Sequence, residues 1–244
     1  MKIIAVIPAR RASTRLPDKL LQPLGDKTVI RYTHDAVKAT GLFDAVFVAS
    51  DDSDICAEIQ RFGGEAIRTR TDHACGSDRI AEAVADWDVD VIINVQGDEP
   101  FIDKKGLKQL IEVFHTDPTE TIDLASLMYP LTDLTAVTDP NVVKVIVDQS
   151  NYALYFSRAP IPYRRDSEVA FYFQHIGVYA FRKQALMDFS RQPMTPLEKV
   201  EKIEAIRYLE YGKKIKMVET SHKSIGIDTL ADLEAARKLV NQKN

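Results

Sequence analysis

The chain has 244 residues, of which 45% are hydrophobic and 28% charged, and its 32 basic and 36 acidic residues give a net charge of −4. This composition is typical of a soluble globular protein, the length fits one large domain or one domain with a subdomain, and the acidic balance argues against nucleic acid as the main partner. No apolar run approaches the roughly 20 residues of a membrane span and no signal peptide is recognised, so we expect a cytoplasmic protein without membrane insertion.

The first predicted element is a buried strand, Lys2–Ile7, which leads into the segment Pro8–Lys19. That segment carries four cations among small residues, namely Arg10, Arg11, Arg15 and Lys19. A β-branched strand that ends in a small basic loop is typical of an α/β protein that binds a polyphosphate at the end of its sheet. Since neither GxxxxGK[ST] nor GxGxxG is present, cationic side chains and open amide groups would have to bind the phosphates. The alternative is a solvated basic turn, and the density of cations favours the phosphate site.

Strands and helices then alternate as far as residue 95. Helices are predicted at Thr28–Ala39, from a cap within Ser50–Ser53 to Phe62, and from a cap at Ser77 to Ala85; strands are predicted at Ala45–Ala49, Glu65–Arg68 and Val89–Val95. Repeated βα units with apolar strands predict a parallel sheet with helices on both faces.

The pattern changes after residue 120, where longer strands with fewer helices follow. Strands are predicted at Leu124–Pro130, Val142–Asp148, His175–Phe181 and Ile215–Val218, and helices at Leu197–Leu209 and Leu230–Val240. We therefore predict a single domain over 1–244, with a nucleotide-binding half at 1–120 and a mixed-strand half at 121–244 that share one sheet.

Two aspartates are candidate metal ligands: Asp98 follows a predicted strand, and Asp228 precedes the last predicted helix. Asp98 comes directly after the strand that ends at Val95. Ligands of open α/β sheets bind at the carboxyl ends of strands, so we expect Asp98 to face the basic loop, where it could hold Mg²⁺ against a phosphate. The alternative is a plain turn with Pro100 as the first residue of a helix. Asp228 and Thr229 precede the last helix, so either is by default an N-cap; Asp228 becomes a second metal ligand only if the fold brings it to Asp98.

Three residues of the second half also stand out. A lone histidine that leads a strand, such as His175, is more often structural than catalytic. Tyr179 lies four residues later on the same strand face. Arg158 stands in an apolar region and needs an anionic partner, which is ordinarily a protein carboxylate and alternatively a ligand carboxylate. No Ser/His/Asp triad and no pair of general-acid carboxylates is recognised.

Six segments occur in an order that is typical of one enzyme family: PARRASTRLPDK, VQGDEP, YALYFSRAPIP, HIGVYAF, PLEKVEKIEAIRYLEYG and GIDT. On these motifs the chain resembles the 3-deoxy-manno-octulosonate (Kdo) cytidylyltransferases, also called CMP-Kdo synthetases, from about Ile3 to Lys238. The first motif alone would indicate only the wider nucleotidyltransferase group that includes CMP-sialic acid synthetases.

The resemblance implies a fold and a reaction. The fold is of the nucleotide-diphospho-sugar transferase type, a Rossmann-like α/β fold with a mixed, mostly parallel sheet, helices on both faces and a smaller subdomain that forms a homodimer. The reaction joins CTP to Kdo, with Mg²⁺, and gives CMP-Kdo and pyrophosphate for lipopolysaccharide biosynthesis. The alternatives are a nucleotidyltransferase for 8-amino-Kdo, sialic acid or a sugar 1-phosphate, and a non-catalytic nucleotide-binding sensor.

The resemblance also implies roles for individual residues. Lys19, Asp98 and Asp228 are the catalytic set, with Asp98 and Asp228 as the metal ligands. The implied nucleotide contacts are Arg10, Ser13, Arg15, Lys19 and Arg79, and the implied sugar-acid contacts are Gln96, Arg158, His175, Tyr179 and Glu204.

Two departures from the family pattern bear on specificity. The family often has SGTER where this chain has Cys75–Arg79, CGSDR, which weakens a hydrogen bond near the base. Many members have Glu-Gln where this chain has Glu204 and Ala205, and the missing amide leaves room for a Kdo variant such as an 8-amino analogue.

Overall fold

A computed structural model describes residues 1–13, 15–165, 171–223 and 225–242; of the basic loop, position 14 lies outside the described residues. The chain forms two compact units, Met1–Lys104 with Ser224–Asn244, and Lys105–Lys223. This division differs from the predicted halves at 1–120 and 121–244, because the end of the chain returns to the first unit. There the Ile227 amide donates to the Asp98 carbonyl over 2.9 Å.

The helices and strands are numbered in chain order. The strands are β1 (Ile3–Ala9), β2 (Pro23–Leu24), β3 (Lys27–Thr28), β4 (Ala45–Ser50), β5 (Glu65–Arg68), β6 (Val91–Asn94), β7 (Leu124–Leu131), β8 (Lys144–Val147), β9 (Ala153–Ser157), β10 (Tyr172–Arg182) and β11 (Ile215–Glu219). The α-helices are α1 (Val29–Ala39), α2 (Ser53–Arg61), α3 (Gly76–Val84), α4 (Lys104–His115), α5 (Leu134–Thr138), α6 (Lys183–Arg191), α7 (Pro196–Glu201), α8 (Ala205–Glu210) and α9 (Leu230–Asn241), and a 3-10 helix spans Lys19–Leu21.

The first unit is built on a parallel sheet in which β1 lies between β6 and β4, and β4 also pairs with β5. In the register, Ile4 of β1 stands beside Ile92 on one side and Ala45 on the other. Strand β1 is buried almost throughout because its β-branched and small residues pack under helices such as α1 and α3. The parallel order places the segments that follow β1 and β6 at the same edge of this sheet.

The second unit has a mixed sheet. Strand β10 pairs antiparallel with β7 and with β8, β9 extends the sheet beyond β8, and β11 pairs with β7 in parallel. The ladder between β10 and β7 contains an irregularity between Ile176 and Tyr179, so that two residues of β10 have no partner on β7. A bulge of this kind redirects side chains and leaves carbonyl groups without ladder partners.

Several predicted elements differ from the observed ones. The single helix predicted over Leu197–Leu209 is wrong: α7 and α8 are separate, because Lys202 adopts a left-handed conformation with φ of 56° and ends α7. Ser77 is not the cap of α3, since the helix begins at Gly76 after Cys75. Helices α4 and α6 and strand β9 were not predicted.

Among the described residues, no helix combines the length and the apolar character needed to cross a membrane.

Candidate active site

The first unit gathers one cation between two acids. The Nζ atom of Lys19, at the start of the 3-10 helix, donates a hydrogen bond to the carboxylate of Asp98 and another to Oδ1 of Asp228, the latter over 3.0 Å. The Lys19 side chain is 12% exposed, against 28% for Asp98 and 47% for Asp228. Residues from three distant parts of the sequence therefore meet at the edge of the parallel sheet where β1 and β6 end.

Asp98 is held in place by a glycine that precedes it. A Cβ atom at Gly97 would lie 3.1 Å from Cδ1 of Ile30 and 3.3 Å from the carbonyl oxygen of Pro8. The Gly97 carbonyl accepts a hydrogen bond from Oγ1 of Thr33 over 2.9 Å. The turn after β6 therefore packs directly on the end of β1, which only a residue without a side chain allows without displacement.

Asp228 is free to face Lys19 because its neighbour caps the helix. The Thr229 hydroxyl accepts the Asp232 amide over 3.2 Å, and the Asp232 carboxylate accepts the Thr229 amide over 2.8 Å, which together form a capping box. Of the two cap candidates, the structure thus selects Thr229. The Ile227–Asp98 backbone hydrogen bond then joins this turn to the turn after β6.

The remaining cations of the basic loop have different partners. Arg15 is half exposed and its Nη2 atom lies 2.9 Å from Oδ2 of Asp228. Arg11 is paired with the carboxylates of Asp18 and Asp54, over 2.8 and 2.6 Å. Arg10 is exposed and forms no ion pair with any residue that the structure describes, so its charge is available to an anion. Ser13 is half-buried.

The electrostatics of the acid pair favour a cation. Burial works against the charge of Lys19, but the carboxylates of Asp98 and Asp228 outweigh it, so its pKa is raised above the ordinary value and the ammonium stays charged. Two partly exposed carboxylates that converge on one positive group fit the donor set of Mg²⁺, which takes one or two carboxylates together with waters and substrate phosphates. Within the described ranges, no group of three or more His, Cys, Asp or Glu side chains could hold a metal.

Arg79 and Gln96 also belong to the first unit. Arg79 is buried, and its Nη1 atom lies 2.9 Å from the Asp51 carboxylate and donates to Oγ1 of Thr69 over 2.5 Å. Gln96 is half-buried and donates to Oδ1 of Asn94 over 3.3 Å. Arg79 is thus held inside the fold, in contrast to the exposed Arg10.

In the second unit, the guanidinium of Arg158 is bound by backbone oxygens. It donates from Nε to the Glu201 carbonyl over 2.7 Å and from Nη1 to the Pro140 carbonyl over 2.8 Å, with a longer contact of 3.5 Å from Nη2 to the Lys202 carbonyl. The Glu201 carboxylate accepts the Arg158 backbone amide instead, over 2.9 Å. This side chain therefore ties the end of α7 to the turn before β8.

His175 is a buried residue within β10. Its Nε2 atom lies 2.9 Å from the hydroxyl oxygen of Ser126 on β7, and its ring stands 4.7 Å from that of Phe156 and 5.4 Å from that of Tyr179. Burial lowers the pKa of His175 to about 3, so the imidazole is neutral at physiological pH. Tyr179 is buried as well, and Glu204 is half-buried immediately before α8, where its side chain does not cap the helix.

Two further residues of this region were not recognised in the sequence. Lys144 is fully buried and its Nζ donates to the backbone carbonyls of Asp139, Val142 and Arg158, over 2.9, 2.5 and 2.6 Å. A lysine inside the apolar run VVKVIV was a signal for this role. Ser126 gave no such signal, because a serine in a strand is common and its contacts depend on the bulge of β10.

Comparisons with known proteins place relatives of this chain in one enzyme family. The sequence model of a family described as cytidylyltransferase matches residues 4–215. The chain is 58% identical to the 3-deoxy-manno-octulosonate cytidylyltransferase of Christiangramia forsetii, over 98% of this chain and 97% of that protein. It is 59% identical to the protein of the same name from Flavobacterium johnsoniae, over 98% of this chain and 99% of that protein.

Solved structures of cytidylyl-transferring enzymes have a similar fold. A CMP:2-keto-3-deoxy-manno-octonic acid synthetase, solved in complex with CTP, is similar with a TM-score of 0.94 and 37% identity over 100% of both chains. A 4-diphosphocytidyl-2C-methyl-D-erythritol synthase from Anaerococcus prevotii has a TM-score of 0.65 with 15% identity, over 98% of this chain and 99% of that one, which is a likeness of fold alone. The predicted fold class, a mixed sheet with helices of the nucleotide-diphospho-sugar transferase type, is confirmed.

Proposed function

This chain belongs to the cytidylyltransferase family, and we propose that it transfers the cytidylyl group of CTP to Kdo, which gives CMP-Kdo and pyrophosphate. The observation that carries the proposal is the meeting of Lys19 with Asp98 and Asp228 at the end of the parallel sheet. In this reaction the anomeric hydroxyl of the sugar acid attacks the α-phosphorus of CTP as pyrophosphate leaves. Such chemistry depends mostly on positioning and on neutralisation of phosphate charge.

The residues of the first unit provide this neutralisation. Arg10, Ser13 and Arg15 would contact the CTP phosphates together with Lys19. The ammonium of Lys19 has three N–H groups, and two of them donate to Asp98 and Asp228. The third has no partner among the residues that the structure describes, so it can donate to a phosphate oxygen while the acids fix the position of the ammonium. Arg79 lies in the segment that would face the cytosine base.

Asp98 and Asp228 are the residues that would hold Mg²⁺. The ion, when bound, supplies a Lewis acid that lowers the pKa of the attacking hydroxyl and offsets the charge that develops on the phosphate. Among the residues that the structure describes, none is evident as a separate general base. In the free protein Asp98 pairs with Lys19, and Asp228 pairs with Lys19 and Arg15; both carboxylates would hold the metal ion beside these cations.

The sugar acid would be bound by Gln96, Arg158, His175, Tyr179 and Glu204. Arg158 has five N–H groups, of which three point to backbone carbonyls, so two remain for the carboxylate of the substrate. His175 is neutral and can contribute a hydrogen bond without charge. Ala205, which follows Glu204, leaves 8-amino-Kdo as an alternative substrate.

We also propose a cytoplasmic homodimer that serves lipopolysaccharide biosynthesis. The second unit exposes large apolar side chains, among them Leu154, Tyr163, Phe171 and Val200, with 58 to 87% of each accessible. Exposed apolar surface of this kind favours association with another copy of the chain. Sedimentation of the chain and of Val200→Glu tests the dimer, and a monomeric parent protein would refute it.

One assay tests the proposed reaction. Pyrophosphate release is measured with CTP and Mg²⁺ in the presence of Kdo, 8-amino-Kdo or sialic acid, and without an acceptor. We expect release that depends on Kdo. A preference for UTP or GTP without a 2-keto sugar acid would indicate a sugar 1-phosphate nucleotidyltransferase, and CTP binding without release for any acceptor would indicate a nucleotide sensor.

A further inference from the structure

Ser126 makes an unusual set of contacts inside the second unit. The residue is fully buried on β7, opposite the bulge of β10. Its hydroxyl oxygen lies 2.8 Å from the carbonyl oxygen of Val178, 3.2 Å from that of Ile176, and 2.9 Å from Nε2 of His175. One hydroxyl therefore serves both the carbonyls of the bulge and the imidazole ring.

These contacts determine where the hydrogens lie. A hydroxyl has one hydrogen, and the two carbonyl oxygens can only accept hydrogen bonds. Two oxygens at 2.8 Å require a hydrogen between them, so the hydroxyl of Ser126 donates towards Val178 and Ile176. Its oxygen is then left to accept, and the contact with His175 is a hydrogen bond only if the imidazole Nε2 carries the hydrogen.

The other ring nitrogen of His175 is consequently an acceptor. Burial keeps the imidazole neutral, so a hydrogen on Nε2 leaves a lone pair on Nδ1. No residue within the described ranges forms a hydrogen bond with Nδ1. The rings of Phe156 and Tyr179 pack beside the imidazole and limit its rotation. A ligand that meets Nδ1 must therefore bring a donor, such as a hydroxyl group, and a carboxylate oxygen would meet the lone pair unfavourably.

We propose that Ser126 is a positioning residue that holds His175 as the Nε2–H tautomer, so that Nδ1 accepts a hydrogen bond from a hydroxyl group of the sugar acid. The tautomer follows from the hydrogen-bond geometry together with the burial that keeps the imidazole neutral, whereas the identity of the ligand rests on the proposed function. His175 then accepts a hydrogen bond from a hydroxyl group of the sugar acid, and Arg158 binds the carboxylate of the sugar acid.

The tautomer is tested without any substrate. Two-bond ¹⁵N–¹H correlation spectra distinguish a protonated from an unprotonated ring nitrogen, and loss of one signal set in His175→Gln assigns His175 among the five histidines. We expect the Nε2–H form in the parent protein and in Ser126→Thr, which keeps a hydroxyl, and a mixture of tautomers in Ser126→Ala. An Nδ1–H form in the parent, or an unchanged spectrum in Ser126→Ala, would overturn the positioning role.

The ligand is tested by titration and by kinetics. Added Kdo should shift the ¹⁵N resonance of Nδ1 in the direction that an accepted hydrogen bond causes, and an unshifted resonance with bound Kdo would overturn the hydroxyl contact. We expect Ser126→Ala to raise KM for Kdo about tenfold, the factor for one lost hydrogen bond to a neutral group, with KM for CTP unchanged. Equal rises in both constants would indicate a general structural defect instead.

Two further variants separate the proposed effect of Ser126→Ala on KM for Kdo from a general loss of stability. Ser190→Ala removes another serine-to-carbonyl hydrogen bond of the second unit, to Met187 over 2.9 Å, and should leave KM for Kdo unchanged. Ser126→Thr should restore KM to within about twofold if Ser126→Ala loses stability. If the protein uses no sugar acid, the proposed function fails while the tautomer result still stands or falls by its own spectrum.

Discussion

Replacement of Asp98 by asparagine is the most direct test of the catalytic cluster. The change keeps the shape of the side chain and removes its charge, and Lys19 retains Asp228 as a partner over 3.0 Å. Two unit charges about 4 Å apart near a protein surface interact by about 4 kcal/mol. Because Asp98 is 28% exposed, solvent screening reduces this value to about 3 kcal/mol. An equal loss of charge stabilisation in the transition state corresponds to a fall in turnover of about 10²-fold, since each 1.36 kcal/mol is tenfold in rate.

The assay is pyrophosphate release with saturating CTP and Kdo over a range of Mg²⁺ concentrations. If Asp98 holds the metal, the Mg²⁺ concentration for half-maximal rate should rise together with the loss of turnover. A fall in turnover at an unchanged Mg²⁺ requirement would mean that Asp98 acts only through Lys19. Turnover near that of the parent protein would refute the whole assignment.

A matched control is available in the same unit. Asp90→Asn makes the same chemical change at a carboxylate that accepts the Lys2 backbone amide, at the amino-terminal end of β1 and β6. We expect this variant to keep both the turnover and the Mg²⁺ requirement of the parent. Urea unfolding of both variants separates a loss of activity from a loss of folded protein.

Three further predictions concern stability. Arg207→Met should lower the free energy of unfolding by about 3–5 kcal/mol in urea, because it leaves the buried carboxylate of Glu198 unpaired, and R207M/E198L should recover most of this loss. Burial lowers the pKa of His175 in the folded protein to about 3, so between pH 6.5 and 3 the unfolded chain binds a proton that the folded protein does not. The free energy of unfolding should therefore fall by about 1.4 kcal/mol per pH unit as the pH drops from 6.5 towards 3. His175→Gln should lack this component of the pH dependence. Gly97→Ala should lower stability by about 1–3 kcal/mol, measured by urea unfolding, because its Cβ would crowd Ile30.

An Arg207→Met protein as stable as the parent would show that the buried ion pair does not hold α7 against α8. A pH dependence that is the same in the parent and in His175→Gln would assign the acid sensitivity to other groups. A stable Gly97→Ala protein with full turnover would show that the turn before Asp98 adapts to a side chain.

Local sequence patterns were sufficient to predict the main strands and the first helix of the first unit. The apolar strands that became β1, β4 and β6 were predicted with ends that differ by a few residues, as was α1. Local patterns suffice here because periodicity and glycine stops act over a few residues. The position of Asp98 after a strand also predicted that it faces the basic loop, and the family motifs added the expectation that Asp228 works with Lys19 and Asp98.

The long-range partners, and some local boundaries, became known from the folded protein. Thr229 rather than Asp228 caps α9, and this choice turns Asp228 towards Lys19. A left-handed residue, Lys202, divides a helical pattern that reads as continuous. The imidazole of His175 on β10 lies within hydrogen-bond distance of the Ser126 hydroxyl on β7. The contacts of Asp228 with Lys19 and of His175 with Ser126 join residues that are close only after packing, and partners so far apart along the chain leave no periodic trace in the sequence.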